Sequence, residues 1–208
     1  MIRDAAEAVI KAILAEKDYL NDLDEKIGDG DHGSNMADGA RAIKEALDAT
    51  GDASLKKFLQ ATGDAVIMNV GGTAGPLYGA ALLEAAKVVN KNSKLDAATL
   101  EKIFSAAVEG IQKRGNAKLG EKTMLDVLIP IRDTFNAENC AGKELEEILT
   151  EARGAARDGL EFTKTIVAKK GRAASIKEKS IGFEDAGAAS VAIIFRVLCG
   201  FWKDHLIS

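Results

Sequence analysis

The chain is poor in cysteine and proline and has no excess of positive charge. Cys140 and Cys199, the only cysteines in the 208-residue sequence, are far apart and are interpreted as free thiols rather than as a disulfide framework. Two prolines and a hydrophobic fraction of 47% indicate a globular chain rather than a disordered one. A formal net charge of −4 argues against nucleic acid as a partner. An anionic small molecule is compatible with this charge if cationic residues are concentrated locally.

The sequence also lacks a recognisable targeting segment and a long apolar run. Charged residues occur throughout residues 2–18, unlike the apolar stretch of a signal peptide. The longest apolar run, near residues 193–195, is far shorter than the roughly 20 residues that span a bilayer. We therefore expect a cytoplasmic protein with no membrane partner. The length suits one domain, expected to comprise residues 1–208.

Apolar residues recur at helical spacing along almost the whole chain, and no segment shows a convincing two-residue alternation. The clearest stripes lie in residues 2–14, 55–66, 124–135, 145–156 and 188–202. Glycine and Asx clusters interrupt them near residues 28–33, 50–53, 71–75, 91–96, 114–121, 136–142 and 171–187. These breaks predict about eight helices with short connections. The expected fold is therefore all-α, an eight-helix antiparallel up-and-down bundle or barrel.

Short local signals mark where individual helices begin. Ser54 and Asp96 precede apolar stripes and are expected to act as N-caps. Thr123 and Asp126 fit a capping box at the start of a later helix. The residues just before it are interpreted as an ordinary solvated loop: Lys118, Glu121 and Lys122.

Three aspartates, Asp24, Asp29 and Asp31, lie within eight residues of one another in a glycine-rich stretch. Converging carboxylates repel one another unless a cation lies between them, and Mg²⁺ and Ca²⁺ prefer such oxygen ligands. An EF-hand calcium loop is excluded, because Ser34 stands where glycine is needed and Ala40 where glutamate is needed. An open Mg²⁺ loop completed by phosphate fits better. The alternative is that Asp31 or Ser34 only caps the next helix.

Two glycine clusters favour an anion site. Gly28, Gly30 and Gly33 spell G-x-G-x-x-G, but a dinucleotide-binding fold needs a strand before this motif and the sequence predicts a charged helix end there. No Walker A motif is present. The second cluster, residues 70–79, places Pro76 in the first turn of a helix whose exposed N–H groups can bind phosphate. A tight interhelical turn is the alternative for this cluster.

Several polar residues beside these clusters can either stabilise the fold or contact a ligand. His32 can contact phosphate, act as an acid or base, or only hydrogen-bond a neighbour. Ser34 and Asn35 can cap the helix that begins near Asn35 or donate to a ligand. Residues 168–187 form a basic loop without a clear helical stripe, and its Arg172 can fork onto phosphate, although such loops are more often just solvated. The cationic residues of the basic loop are Lys169, Lys170, Arg172, Lys177 and Lys179.

Together these stretches resemble the nucleotide-binding L subunit of the dihydroxyacetone kinase family. The resemblance rests on motifs in family order that extend from near residue 19 to the C-terminus. They are Gly28-Asp-Gly-Asp-His-Gly33 with Asn35-Met36, Gly71-Gly-Thr-Ala-Gly-Pro-Leu-Tyr-Gly79, Lys113-Arg-Gly115 with Gly120-Glu-Lys-Thr-Met-Leu-Asp126, Lys170-Gly-Arg-Ala173 with Ser180-Ile-Gly182, and Asp185-Ala-Gly-Ala188. Two positions depart from the family pattern. Ala186 replaces a common proline, which changes loop stiffness, and Ala74 replaces a common serine, which removes one phosphate donor.

The resemblance implies an eight-helix antiparallel barrel that binds a nucleotide across one end. It implies that Asp24, Asp29 and Asp31 hold two Mg²⁺ ions, which bridge the phosphates of ADP or ATP, and act with Arg172 in catalysis. The residues that it places along the phosphates and ribose are His32, Ser34, Asn35, Thr73 and Ala74. It places Gly115 and Met124 beside the adenine. The residues that it places in a lid over the nucleotide are Arg172, Asp185 and Gly187.

The resemblance also implies a kinase or phosphotransferase subunit with protein partners. Such a subunit passes a phosphoryl group to dihydroxyacetone held on a separate K subunit. At this length the chain resembles the form whose bound ADP is rephosphorylated by a phosphohistidine of an M subunit, in a phosphoenolpyruvate-dependent system. Three alternatives are use of free ATP, a non-catalytic nucleotide-sensing module that docks on a transcription regulator, and a two-metal hydrolase using the same aspartates. A homodimer is also left open.

Overall fold

Helices form where the sequence shows apolar residues at helical spacing. A computed structural model describes residues 1–51, 53–90 and 92–206, and every regular element in these ranges is helical. The helices are α1 Ile2–Ala15, α2 Lys17–Ile27, α3 His32–Thr50, α4 Leu55–Asn69, α5 Ala74–Val88, α6 Ala97–Gly115, α7 Leu125–Thr134, α8 Ala137–Cys140, α9 Leu145–Thr163, a 3-10 helix Arg172–Ser180, and α10 Ala186–Leu206. The all-α prediction is confirmed. The predicted domain of residues 1–208 also includes residues 52, 91, 207 and 208, which lie outside the described residues.

The described helices outnumber the predicted eight for local reasons. Glu16 leaves helical geometry at φ −96° and ψ 12° and separates α1 from α2, although hydrogen bonds continue across it on both sides. After α7 the four-residue helix α8 forms a single turn, capped by the Asn136 side chain. The basic loop adds the 3-10 helix, whose Lys177 has a φ of 49°. The eight-helix antiparallel barrel stays a prediction.

Most helices pack against their neighbours in sequence, and the series of contacts closes on itself. α3 contacts α4, α4 contacts α5, α5 contacts α6, and α6 contacts α7; α7 then contacts α9, and α9 contacts α10. α10 contacts α1, and α1 contacts α3. α2 lies against α3, α10 and the 3-10 helix. This arrangement brings the end of α2, the start of α3 and the basic loop together.

An aromatic cluster in the largest hydrophobic core joins α6, the end of α7 and α10. The ring centroid of Phe195 on α10 lies 5.6 Å from that of Phe104 and 6.5 Å from that of Phe135. The ring centroid of Trp202, about two turns further along the same face of α10, lies 6.4 Å from that of Phe195. Edge-to-face pairs of this kind contribute specific packing in addition to burial. Leu149 on α9 is fully buried in the same core, so α6, α7, α9 and α10 are held as one unit.

Both predicted N-caps are confirmed. The Ser54 hydroxyl accepts a hydrogen bond from the Lys57 backbone N–H at 3.5 Å, at the start of α4. The Asp96 carboxylate accepts one from the Thr99 backbone N–H at 2.9 Å, at the start of α6. Each cap satisfies one of the backbone donors that a helix leaves unpaired at its first turn.

Helix α10 is more apolar than the short run near residues 193–195 indicated. Its segment Ala186–His205 has a mean hydropathy of 1.4, so by length and composition it is one candidate membrane span among the described residues. Half of this segment is buried inside the fold, and a core helix of a water-soluble protein passes the same test. Its uninterrupted apolar runs are short because Ser190, Arg196 and Gly200 lie between the apolar residues. In the structure α10 contributes to both of the largest hydrophobic clusters.

Replacing Phe195 by alanine should lower the free energy of unfolding by about 3–5 kcal/mol, because a buried aromatic side chain leaves a cavity that its neighbours fill only partly. Urea denaturation followed by circular dichroism measures the change. Phe162→Ala is the control, because Phe162 is 42% exposed, and it should cost far less. Equal losses for the two variants would show that α10 is not anchored through the aromatic cluster.

Candidate functional site

Three carboxylates converge where α2 ends and α3 begins. Asp24 lies in the last turn of α2, and Asp29 and Asp31 follow in the connection to α3. One carboxylate oxygen from each residue lies within 4.8 Å of the other two, and Asp29 and Asp31 are exposed. The structure thus brings together the three residues predicted to hold metal. Three oxygen donors at this spacing fit a hard divalent cation such as Mg²⁺, which takes a few carboxylates and completes its shell with water and phosphate.

Asp24 also organises the backbone of the loop. Its Oδ2 accepts hydrogen bonds from the backbone N–H groups of Asp31 at 3.0 Å and His32 at 3.3 Å. Asp31, at the N-cap position of α3, makes no capping bond with its own side chain and instead accepts from the Asn35 side-chain amide at 2.8 Å. The alternative that Asp31 merely caps this helix is therefore wrong. A side chain at Gly28 would overlap the Asp24 carboxylate, which explains the glycine there.

Ser34 faces α2 rather than a ligand space. Its Oγ accepts a hydrogen bond from the Asn21 side-chain amide nitrogen at 3.0 Å, and its backbone N–H donates to the Asn21 side-chain oxygen Oδ1 at 2.9 Å. Gly33 is packed so closely that a Cβ would overlap the Lys17 carbonyl oxygen. These contacts fix the first turn of α3 against α2. They give Ser34 a structural partner in Asn21. The helix α3 begins at His32, three residues earlier than the sequence predicted.

A cavity of about 440 Å³ lies beside the carboxylates. It is bounded by the ends of several helices, by the glycine turn of residues 70–75 and by the basic loop. Ser34 alone among the predicted site residues does not line it. The predicted residues that do are Asp24, Asp29, Asp31, His32, Asn35, Thr73, Ala74, Gly115, Met124, Arg172, Asp185 and Gly187. Residues up to 163 positions apart in sequence therefore share one space, although their assigned roles stay predictions.

Three cationic residues that line the cavity were not among the predicted site residues. They are Arg114, Lys122 and Lys170. The interpretation of Glu121 and Lys122 as a solvated loop is wrong, because both are buried, whereas Lys118 is exposed as expected. The Lys122 ammonium donates hydrogen bonds to the Thr163 carbonyl at 2.5 Å and the Phe183 carbonyl at 2.6 Å. Burial lowers the pKa of Lys122. These partners lie 41 and 61 residues away in sequence, so local patterns carried no signal for them.

Asp126 folds the loop that carries Lys122. Its buried carboxylate accepts hydrogen bonds from the backbone N–H groups of Gly120 at 2.5 Å and Thr123 at 2.7 Å. The Thr123 hydroxyl accepts from the Leu125 N–H at 3.2 Å rather than from the Asp126 N–H. Only the Asp126 half of the predicted capping box therefore forms, and the N-cap residue of α7 is Met124, which has no side-chain cap. Burial raises the pKa of Asp126.

The basic loop is fastened to the rest of the site at several points. The Lys169 backbone N–H donates to the Glu121 carbonyl at 3.0 Å, and the Gly182 N–H donates to the Lys164 carbonyl at 2.8 Å. The Arg172 guanidinium forms an ion pair with the Asp29 carboxylate at 2.8 Å. Arg172 is therefore both within reach of the cavity and electrostatically coupled to one of the three carboxylates.

Asp185 stands at the start of α10 with a strongly perturbed carboxyl group. Its Oδ2 accepts a hydrogen bond from the Ala188 backbone N–H at 2.7 Å. Burial is the main cause that raises the pKa of Asp185 to about 7, and the nearby carboxylates of Asp126 and Asp24 raise it further. The Ala188 N–H and the Lys122 ammonium act in the opposite direction. Negative charge is thus costly here, close to the carboxylate cluster.

The sequence matches the DAK2 domain family over residues 26–200. It is 41% identical over 182 residues to the ADP-binding subunit DhaL of PEP-dependent dihydroxyacetone kinase 1 from Listeria innocua, covering 88% of this chain and 86% of that protein. The DhaL subunit of the PEP-dependent dihydroxyacetone kinase of Escherichia coli K12 is 35% identical over 183 residues, covering 88% and 87%. Human triokinase/FMN cyclase is 34% identical over 193 residues, which make up 92% of this chain and 33% of that protein.

The fold is similar to that of a solved kinase. The crystal structure of the dihydroxyacetone kinase from C. freundii in complex with AMP-PNP and Mg²⁺ superposes with a TM-score of 0.74 and 25% sequence identity. The match covers 95% of this chain and 33% of that chain. A protein of similar fold thus binds an ATP analogue together with the metal ion.

Replacing the ionisable carboxyl group of Asp185 should remove part of the pH dependence of the free energy of unfolding. Because the pKa of this carboxyl is raised in the fold from an ordinary value of 3.8 to about 7, the folded state retains a proton that the unfolded state releases between these pH values. Wild-type stability should therefore fall relative to Asp185→Asn as pH rises from 5 to 7, and the difference should level off above about 7. Urea unfolding in EDTA at pH 5, 6, 7 and 8 measures it. A difference independent of pH would show that Asp185 is ionised throughout.

Proposed function

Because this chain belongs to the DAK2 domain family, which it matches over residues 26–200, we propose that it is the nucleotide-carrying phosphotransfer subunit of a dihydroxyacetone kinase. The names of its relatives confirm the predicted resemblance to the L subunit and the predicted kinase or phosphotransferase class. The observation that carries the proposal is the meeting of three carboxylates, the glycine turn and the basic loop at one cavity.

The carboxylates are proposed to bind the metal half of a Mg²⁺–nucleotide complex. Asp24, Asp29 and Asp31 offer oxygen ligands at a spacing that suits Mg²⁺, and we propose two ions, as the family resemblance implies. Bound Mg²⁺ would neutralise phosphate charge that the aspartates alone would repel. The Asp24 carboxylate accepts hydrogen bonds from two backbone N–H groups. These bonds fix its position before any ligand binds.

The rest of the cavity offers groups for the phosphates and the base. Thr73 and Ala74 stand at the N-terminus of α5, where unpaired N–H groups and the helix dipole favour an anion. Gly71 lies so close to the Asn35 side chain that a Cβ would overlap it, which keeps the glycine turn against α3. On the other side, Leu77, Ile111 and Met124 form an apolar wall suited to a purine ring. The cationic residues Arg114, Lys170 and Arg172 add positive charge around the phosphates.

Phosphoryl transfer in such a site depends mainly on positioning and charge stabilisation. We propose that the acceptor is dihydroxyacetone held on a partner K subunit. The proposed donor is a phosphohistidine on an M subunit, which rephosphorylates ADP retained in the cavity. The naming of the Listeria and Escherichia relatives as subunits of PEP-dependent kinases supports this donor over free ATP. We also propose that the protein works in the cytoplasm, where phosphoenolpyruvate and Mg²⁺ are available.

Reconstitution tests the proposal. The purified chain is mixed with Mg²⁺, ADP and a K subunit loaded with dihydroxyacetone, and is supplied either with phosphoenolpyruvate and the M-subunit phosphorylation system or with ATP alone. We expect dihydroxyacetone phosphate to form with the phosphorylated M subunit while ADP stays bound to the chain.

The other outcomes identify the alternatives. Equal turnover with ATP alone would favour a subunit that consumes ATP as an ordinary substrate. Phosphate release without a K subunit would favour a two-metal hydrolase. Tight nucleotide binding with no transfer under either condition would contradict the proposal and favour a sensing module.

The double variant Asp29→Asn with Asp31→Asn should weaken Mg²⁺-dependent ADP binding by at least about tenfold, or about 1.4 kcal/mol. The amides keep the shape of the carboxylates but lose the charge that attracts the metal. Isothermal titration calorimetry with ADP, in Mg²⁺ and in EDTA, measures the effect. Asp22→Asn is the matched control, because Asp22 is an exposed carboxylate on the same helix as Asp24 but is not part of the cluster. Unchanged affinity in the double variant would remove the metal role of the carboxylates.

A further inference from the structure

Three polar side chains in hydrogen-bond contact extend from the cavity into the interior of the protein. The His32 Nε2 lies 2.9 Å from the Ser190 Oγ, and the Tyr78 hydroxyl lies 2.8 Å from the same oxygen. The Ser190 hydroxyl also lies 2.9 Å from the Gly187 backbone carbonyl. Ser190 is fully buried on α10, Tyr78 belongs to α5, and His32 is the first residue of α3. Three helices whose ends border the cavity thus meet at one serine hydroxyl.

We propose that Ser190 is a positioning residue that, with Tyr78, keeps a proton on the Nε2 of His32, so that in the neutral ring Nδ1 is the unprotonated nitrogen available to the bound nucleotide. This inference deepens the proposed function, because it assigns a defined role at that site to residues outside the carboxylate cluster.

The single proton of the Ser190 hydroxyl determines which atoms donate in these three contacts. A serine hydroxyl has one proton to donate and can accept two hydrogen bonds, whereas a backbone carbonyl only accepts. The contact with Gly187 therefore uses the single Ser190 proton. The remaining two contacts must then be donated to Ser190, one by the Tyr78 hydroxyl and one by the His32 Nε2–H. For a neutral ring, the other tautomer leaves one of the three contacts without a proton between its atoms.

The opposite ring nitrogen of His32, in a residue that lines the cavity, is not fully buried. His32 is among the cavity-lining residues, and its Nδ1 makes no hydrogen bond within the described residues. No buried side-chain nitrogen or oxygen there lacks a partner, so Nδ1 lies in accessible space. An unprotonated Nδ1 can accept a hydrogen bond from a nucleotide hydroxyl or from a metal-bound water, whereas an ionised phosphate oxygen has no proton to donate to it.

Tyr78 supports the hydrogen bonds at Ser190 from the interior of the protein. Burial raises the pKa of its hydroxyl above the ordinary value of 10, so this group stays a proton donor at ordinary pH. Its ring packs against apolar residues of the two largest hydrophobic clusters. The Ser190 hydroxyl is therefore held from a side that the ligand does not reach.

Nitrogen-15 spectroscopy of the histidine rings tests the assignment directly. The chain contains only His32 and His205, and a His205→Gln variant assigns their signals. In nucleotide-free protein at a pH where the rings are neutral, we expect the Nε2 of His32 to give the signal of a protonated ring nitrogen and Nδ1 that of an unprotonated one. Ser190→Ala should give averaged signals of two exchanging tautomers. Thr62→Val, which removes another buried hydroxyl outside this chain of contacts, should leave the His32 signals unchanged.

The wild-type spectrum decides the inference even if Ser190→Ala does not fold, because an Nδ1–H tautomer in the wild type would overturn it. A folded Ser190→Ala protein that keeps the pure Nε2–H tautomer would overturn the role of Ser190. In titrations with ADP and Mg²⁺, Ser190→Ala should weaken binding by about threefold to tenfold, the effect of losing one positioning hydrogen bond. Absence of ADP binding by the wild type would contradict the proposed function, and the nucleotide-free spectrum would still decide the tautomer.

Discussion

Mutual repulsion among Asp24, Asp29 and Asp31 is the constraint around which this structure is arranged. Oxygen atoms of these carboxylates within 4.8 Å of one another would repel by on the order of 3 kcal/mol per pair at an effective dielectric constant of about 20, before screening by salt. Two backbone N–H groups and the Arg172 guanidinium offset part of this repulsion. A divalent cation would offset the rest, and its own remaining ligand positions would attract phosphate. The three carboxylates, which by themselves would repel the phosphates of a nucleotide, would thus bind the nucleotide through the cation.

The carboxylates can be held this close because buried groups fix the surrounding backbone. The first turn of α3 is locked to α2 by Asn21 and Ser34, with Gly33 allowing the helices to touch. Elsewhere in the cavity wall, the buried Lys122 ammonium connects the end of α9 to the segment before α10 by hydrogen bonds to two backbone carbonyls. Loops in this site are therefore positioned by the helix core, which is what electrostatic catalysis requires, since donors and charges must not reorganise during the reaction.

Sequence patterns predicted the parts of this structure that depend on neighbours in the chain. Helical stripes, the caps Ser54 and Asp96, and the clustering of three aspartates all follow from spacing over a few residues. The missed features depend on distant contacts. Nothing near Lys122 indicates that its ammonium would meet Thr163 and Phe183, and nothing near His32 indicates Ser190, 158 residues away. The residues that the family resemblance predicts for the nucleotide all line the cavity except Ser34, which contacts α2, and their roles stay predictions.

The central claim is that the three carboxylates form the metal half of a nucleotide site. A crystal structure of the protein with ADP and Mn²⁺, which can occupy Mg²⁺ sites and scatters anomalously, tests it most directly. The account predicts anomalous density bounded by Asp24, Asp29 and Asp31 and in contact with the ADP phosphates. ADP bound in the cavity with the manganese elsewhere, or with Asp29 still paired only to Arg172, would contradict it.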